Sequence, residues 1–171
     1  LRSVDAAIRP HRPEEAAMTI AAHLDALVAF YQSLTPATLD RLSEFYDDAA
    51  RFVDPFNDVV GQRPIARIFA DMFERLDSPR FVVTGRFAAS GDTPVDEAML
   101  RWELRFRSPL LGGGEHRIAG TTHLRFAPDG RVLLHRDYWD AAGELYAKLP
   151  IVGVLARAAA RRLRVPDNDS S

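Results

Sequence analysis

His135, Asp137 and Trp139 alternate along the stretch RVLLHRDYWD, residues 131–140. In a strand that spacing puts all three side chains on one face. An imidazole, a carboxylate and an indole side by side suit neither a solvated face nor a dry core. They suit the wall of an apolar cavity that holds a few polar groups. Lost hydration disfavours the charged form of a carboxylate in such a place, which moves it towards the range useful to a general base at neutral pH. A second polar group nearby can hold a water or stabilise an oxyanion. Asp54, in Val53-Asp54-Pro55, is the other acidic residue of interest. An aspartate before a proline is also a common turn former, so it has two readings.

The elements that must position these groups fall in a simple order. Residues 1–15 carry Pro10, Pro13 and several charges without a period, and read as a tail. Ile20, Leu24, Leu27, Val28 and Tyr31 recur at three- and four-residue spacing, which predicts a first helix from about Glu15 to Thr35. Leu39, Leu42, Phe45 and Tyr46 mark a second, short helix closed by Asp47-Asp48. Arg51–Asp54 reads as a strand stopped by Pro55, and Val59–Gly61 as another. Ile65, Ile68, Phe69, Met72, Phe73 and Leu76 make the clearest helical stripe in the chain.

From Arg80 to Asp140 the pattern is that of antiparallel strands. The first places Phe81, Val83 and Phe87 on one face. In the second, Leu100, Trp102, Leu104 and Phe106 alternate with Arg101, Glu103, Arg105 and Arg107. In the third, Ile118, Gly120, Thr122, Leu124 and Phe126 oppose Arg117, His123 and Arg125. Asp140 is placed to cap a final helix, whose stripe is Ile151, Val154, Leu155 and Ala158. Its Arg157, Arg161 and Arg164 read as a solvated face, and residues 166–171 as a frayed end. Helices followed by hairpins make an α+β domain over residues 16–165: a cone-shaped, strongly curved antiparallel sheet whose concave side the helices close.

Composition narrows the function. A net charge of −2 argues against general nucleic-acid binding, which needs a basic surface. The chain has no cysteine, hence no disulfide framework or thiol nucleophile, which suits a reducing cytoplasm. No apolar run reaches bilayer length, so no membrane contact is expected. No pair of histidines has metal-ligand spacing, and neither a metal nor a cofactor is expected.

The motifs DDAARFVDPFNDVVG (47–61), GTTHLRF (120–126) and HRDYWD (135–140), with Tyr31 in the first helix, resemble the nuclear transport factor 2-like, or SnoaL-like, superfamily. Ketosteroid isomerases, polyketide cyclases and limonene epoxide hydrolases belong to it. The resemblance implies a small apolar substrate. Asp54 is similar in position to the proton-shuttling carboxylate of the isomerases, and Tyr31 to their oxyanion-donating tyrosine. Thr122 stands where those enzymes keep a protonated aspartate. Asp137 matches the water-activating aspartate of the epoxide hydrolases. Arg101-Trp102-Glu103 is similar to their Arg-x-Asp, although strand parity turns Arg101 and Glu103 away from the cavity. Asp54, Asp137 and Tyr31 are thus the expected catalytic residues. Phe56, Trp102, Thr122, His135 and Trp139 are the expected substrate contacts. Relatives commonly pair through the charged outer sheet face, so the resemblance implies a homodimer there. A non-catalytic module that binds an apolar ligand, or one that serves dimerisation, is the alternative.

Overall fold

The computed structural model describes residues 13–88, 96–146, 154 and 158. Helix α1 spans Pro13–Gln32, and a 3-10 turn over Pro36–Arg41 leads into the single-turn α2, Leu42–Phe45. Strands β1 (Tyr46–Val53) and β2 (Asp58–Val60) follow, then α3 (Gln62–Arg75). Strands β3 (Asp77–Ala88), β4 (Glu97–Arg107), β5 (Glu115–Phe126) and β6 (Val132–Trp139) complete the sheet, and α4 is one turn, Ala141–Glu144. Asp140 does cap α4, accepting from the Gly143 amide at 2.9 Å. Ile151 and Leu155 of the expected C-terminal stripe, and its three arginines, lie outside the described residues; Val154 and Ala158, within them, are helical and exposed.

The six strands form one open sheet in the order β2-β1-β6-β5-β4-β3, and its concave face is packed by α1 and α3. The architecture is the expected α+β cone, with one difference in detail. The sheet is mixed, because β1 runs parallel to β6 while the other four pairings are antiparallel. Hairpin logic covers β3 to β6. It does not cover β1, which is separated from β6 in sequence by α3 and four strands yet lies directly against it.

Two local readings are corrected. Tyr46–Asp48 open β1 and do not end a helix. Asp47 accepts from the Ala49 amide at 2.9 Å, and β1 bulges between Tyr46 and Arg51, so its acidic pair has the look of a helix stop. Phe87 does not share a face with Phe81 and Val83. The β3–β4 register shifts between Val83 and Gly85, and this inverts parity downstream. Phe87 therefore lies 54% exposed on the outer face, and Arg86 turns inward to pair with Asp25 of α1.

The core explains the anchoring of the helices. Leu24, Leu27, Val28 and Tyr31 of α1 are buried, as are Ile65 and Phe69 of α3. The α3 N-cap is Gly61 at φ 101°, a conformation that favours glycine. Gln62 then ties α3 to β1 by donating to the Tyr46 carbonyl at 2.7 Å and to Asp48 at 2.9 Å.

Candidate active site

Three strands bring the polar groups together. Thr122 on β5 faces Asp137 on β6, and His135 lies one step further along β6 opposite Leu124. Phe52 of β1 lies beside His135 in register, ring centroids 4.5 Å apart. Tyr31 of α1 and Tyr46 at the start of β1 close the far end. Thr122 and His135 are buried, and the Asp137 side chain is 15% exposed.

One hydrogen-bonded chain runs through these groups. Trp102 Nε1 donates to Thr122 Oγ1 at 2.7 Å, and Thr122 donates to Asp137 Oδ1. His135 Nε2 lies 3.0 Å from the same Oδ1. On the other side of the imidazole, Nδ1 is 2.6 Å from the Tyr46 hydroxyl and 3.1 Å from that of Tyr31; the two hydroxyls are 2.6 Å apart. With the carboxylate ionised and the imidazole neutral, Nε2–H donates to Asp137 and Nδ1 accepts from a tyrosine hydroxyl. The shorter contact, at 2.6 Å, makes Tyr46 that donor, with Tyr31 donating to Tyr46. All the donors thus point towards Asp137 Oδ1. Asp137 Oδ2 has no hydrogen-bond partner among the described residues.

Burial raises the pKa of both tyrosines, and the charge of Asp137 adds to it. Both phenols stay protonated donors in the folded protein at pH values where the unfolded chain's tyrosines, with an ordinary value of 10.0, ionise. Above that value the unfolded state binds fewer protons than the folded one. This contribution to stability is therefore complete below the ordinary value and is lost as pH rises above it. The melting temperature should fall above about pH 10, and Tyr31→Phe should flatten that fall; an equal slope in the variant would count against the burial effect at Tyr31.

Two hollows open on the concave face. The smaller, about 20 Å³, is lined by Tyr31, Phe69, Phe81, Val83, Leu100, Trp102, Thr122, His135 and Asp137. The larger, about 470 Å³, has mainly apolar walls that include Ile68, Met72, Leu104, Phe106, Ile118 and Trp139. Its polar groups are Asn57, Asp71, Arg75 and the buried Ser108. Phe56 and Trp139 meet edge to face on its wall, at 5.4 Å. That volume is in the range that binds small molecules.

Of the expected site residues, Tyr31, Trp102, Thr122, His135 and Asp137 lie together around the small hollow, and Phe56 and Trp139 line the large one. Asp54 lines neither. Its Oδ1 accepts from the Phe56 amide at 2.7 Å and the Asn57 amide at 2.6 Å, and both its oxygens are 3.0 Å from Asn57 Nδ2. The carboxylate serves the turn that ends β1. Arg101 and Glu103 lie on the outer face as parity requires: Arg101 bonds Thr84, and Glu103 pairs with Arg105 and Arg117. Tyr46 was missed as a site residue. Its alternation with Ala50 and Phe52, which are also buried, was the available signal, hidden by the bulge. Among the described residues, no cluster of three or more acidic, histidine or cysteine side chains is placed to hold a metal, and no helix is long and apolar enough to cross a membrane.

Residues 27–135 match the family model of the SnoaL-like domain. Solved structures share the fold at low identity. An NTF2-like protein of unknown function from Exiguobacterium is 18% identical, with a TM-score of 0.58 over 69% of this chain and 98% of its own. A protein from Catenulispora acidiphila with a ketosteroid isomerase-like fold, solved with trimethylamine, is 14% identical, with a TM-score of 0.61 over 75% and 93%. An LEH-like epoxide hydrolase from M. tuberculosis is 15% identical, with a TM-score of 0.58 over 87% and 96%. No curated protein matches the sequence.

Proposed function

The chain belongs to the SnoaL-like domain family, and we propose that it is an enzyme acting on a small apolar molecule with Asp137 as general base. The observation that carries this is the bonding of that carboxylate. Oδ1 is held by Thr122 and His135, while Oδ2 has no partner among the described residues and lies beside an apolar hollow. A fixed, partly desolvated carboxylate with one oxygen free is what proton abstraction needs. The rival base, Asp54, lines neither hollow, and its carboxylate is engaged by the Phe56 and Asn57 amides at Oδ1 and by Asn57 Nδ2 at both oxygens.

The size of the small hollow favours water as the molecule deprotonated. About 20 Å³ holds one water and no organic substrate. Oδ2 takes a proton from that water, whose oxygen forms a bond to an electrophilic carbon of the substrate in the large cavity. With an epoxide the carbon–oxygen bond of the ring breaks, the alkoxide is protonated, and Asp137 gives up its proton, so the net change is addition of one water. Isomerase- or cyclase-like proton shuttling is the second reading, and uses the same carboxylate on a carbon acid. The homodimer expected through the outer face belongs to this proposal too. Its support is Phe87 and Tyr138, both at least half exposed there.

A panel of terpene epoxides and β,γ-unsaturated ketones, assayed in water enriched in heavy oxygen, tests the reading. Water addition predicts a labelled diol from an epoxide, at rates that Asp54→Asn changes by less than about threefold, a small fraction of what loss of a general base costs. An unlabelled, isomerised ketone would favour the second reading. Loss of turnover in Asp54→Asn without unfolding would return the base to Asp54.

A further inference from the structure

The lining of the concave face passes from one hollow to the other at a single row of the sheet. On β4, Leu100 and Trp102 border the small hollow, whereas Leu104 and Phe106 border the large one. The change falls on the same row of β5 and β6, which pairs Trp102 with Gly120 and Gly120 with Trp139. At that row a Cβ on Gly120 would stand 2.4 Å from two carbons of the Trp102 indole, so the ring lies directly on the bare backbone of β5. The indole is fixed there by its bond to Thr122 at 2.7 Å and by edge-on packing against Phe81, centroids 5.9 Å apart.

We infer that the Trp102 indole is a movable partition that decides which molecules in the large cavity reach Asp137, and so sets substrate specificity. A glycine floor offers no side chain to interlock with the ring, and one hydrogen bond holds its polar edge. Swung aside, the indole would join the two hollows and let the reacting end of an apolar molecule approach Oδ2. In place, it leaves room there for water alone. The same movement removes a donor from Thr122, the group that holds Asp137, so opening and the setting of the base are coupled. The catalytic meaning of this partition rests on Asp137 being the base; its existence does not.

The absence of cysteine makes a direct test possible, since Asp137→Cys carries a single thiol. Its alkylation by N-phenylmaleimide, bulky and apolar, is compared with that by iodoacetamide in three backgrounds: otherwise unchanged, Trp102→Ala and Gly120→Ala. An open state populated at a tenth or less limits the bulky reagent, so removing or displacing the indole should raise its rate at least about tenfold, and that of iodoacetamide far less. Leu104→Trp, which places a second indole where the large cavity adjoins the Trp102 row, should abolish the gain and so identify the route. Gly120→Ala keeps every core side chain, and melting curves check that each variant is folded. The inference is overturned if both substitutions leave the N-phenylmaleimide rate unchanged, or if Leu104→Trp leaves the gain intact. Labelling does not read turnover, so its failure is distinct from failure of the base assignment.

Discussion

Asp137→Asn is expected to lower kcat by about 10²–10⁴-fold on any substrate the protein turns over, the range that removal of a general base produces. The amide is nearly isosteric. Its oxygen can still accept from Thr122 and from His135 Nε2–H, which keeps the Oδ1 side of the cluster satisfied. What is lost is the proton acceptor at the Oδ2 position, and that interaction is made in the transition state. KM should therefore change little, because the apolar walls of the large cavity hold the substrate and are untouched. A loss confined to KM would make Asp137 a binding group, and a kcat within about threefold of the wild type would remove it from the chemistry.

His135→Phe should be the most destabilising of the conservative changes at the site. The ring shape survives, but Tyr46 loses its acceptor and Asp137 loses a donor. An unsatisfied buried donor or acceptor costs about 1–3 kcal/mol, so a loss of roughly 2–4 kcal/mol is expected. For a chain of this length that lowers Tm by roughly 5–15 °C. The cost should not be additive. In His135→Phe/Tyr46→Phe the orphaned hydroxyl is gone, so the double variant should be more stable than the sum of the singles predicts. Additive losses would mean that the Tyr46–His135 contact contributes nothing of its own. Calorimetric or denaturant unfolding of the four proteins in the cycle measures this.

The parts of this site that could be read from sequence were those set by strand parity. His135, Asp137 and Trp139 share a face because they alternate, and the same rule put Arg101 and Glu103 outside. Thr122 came from the family resemblance, since nothing in a lone threonine marks it as the partner of a distant aspartate. Parity failed where a strand bulged. Phe87 went to the wrong face and Tyr46 to the wrong element, because a bulge is an event of pairing and pairing partners are not adjacent in sequence. Asp54 illustrates a different limit. Val53-Asp54-Pro55 is compatible with a base and with a turn, and only the positions of the Phe56 and Asn57 donors separate the two. The division of the interior was equally hidden, because it depends on a glycine on one strand lying beneath an indole from the next.

The proposed chemistry requires an anionic Asp137 at rest, and the proton positions on His135 report that state. Nitrogen-15 NMR of the imidazole should find Nε2 protonated, facing the carboxylate, and Nδ1 accepting from Tyr46. A bare Nε2 with the proton on Nδ1 would mean that Asp137 itself carries a proton and donates it to the histidine, and a carboxyl in that form cannot be the base.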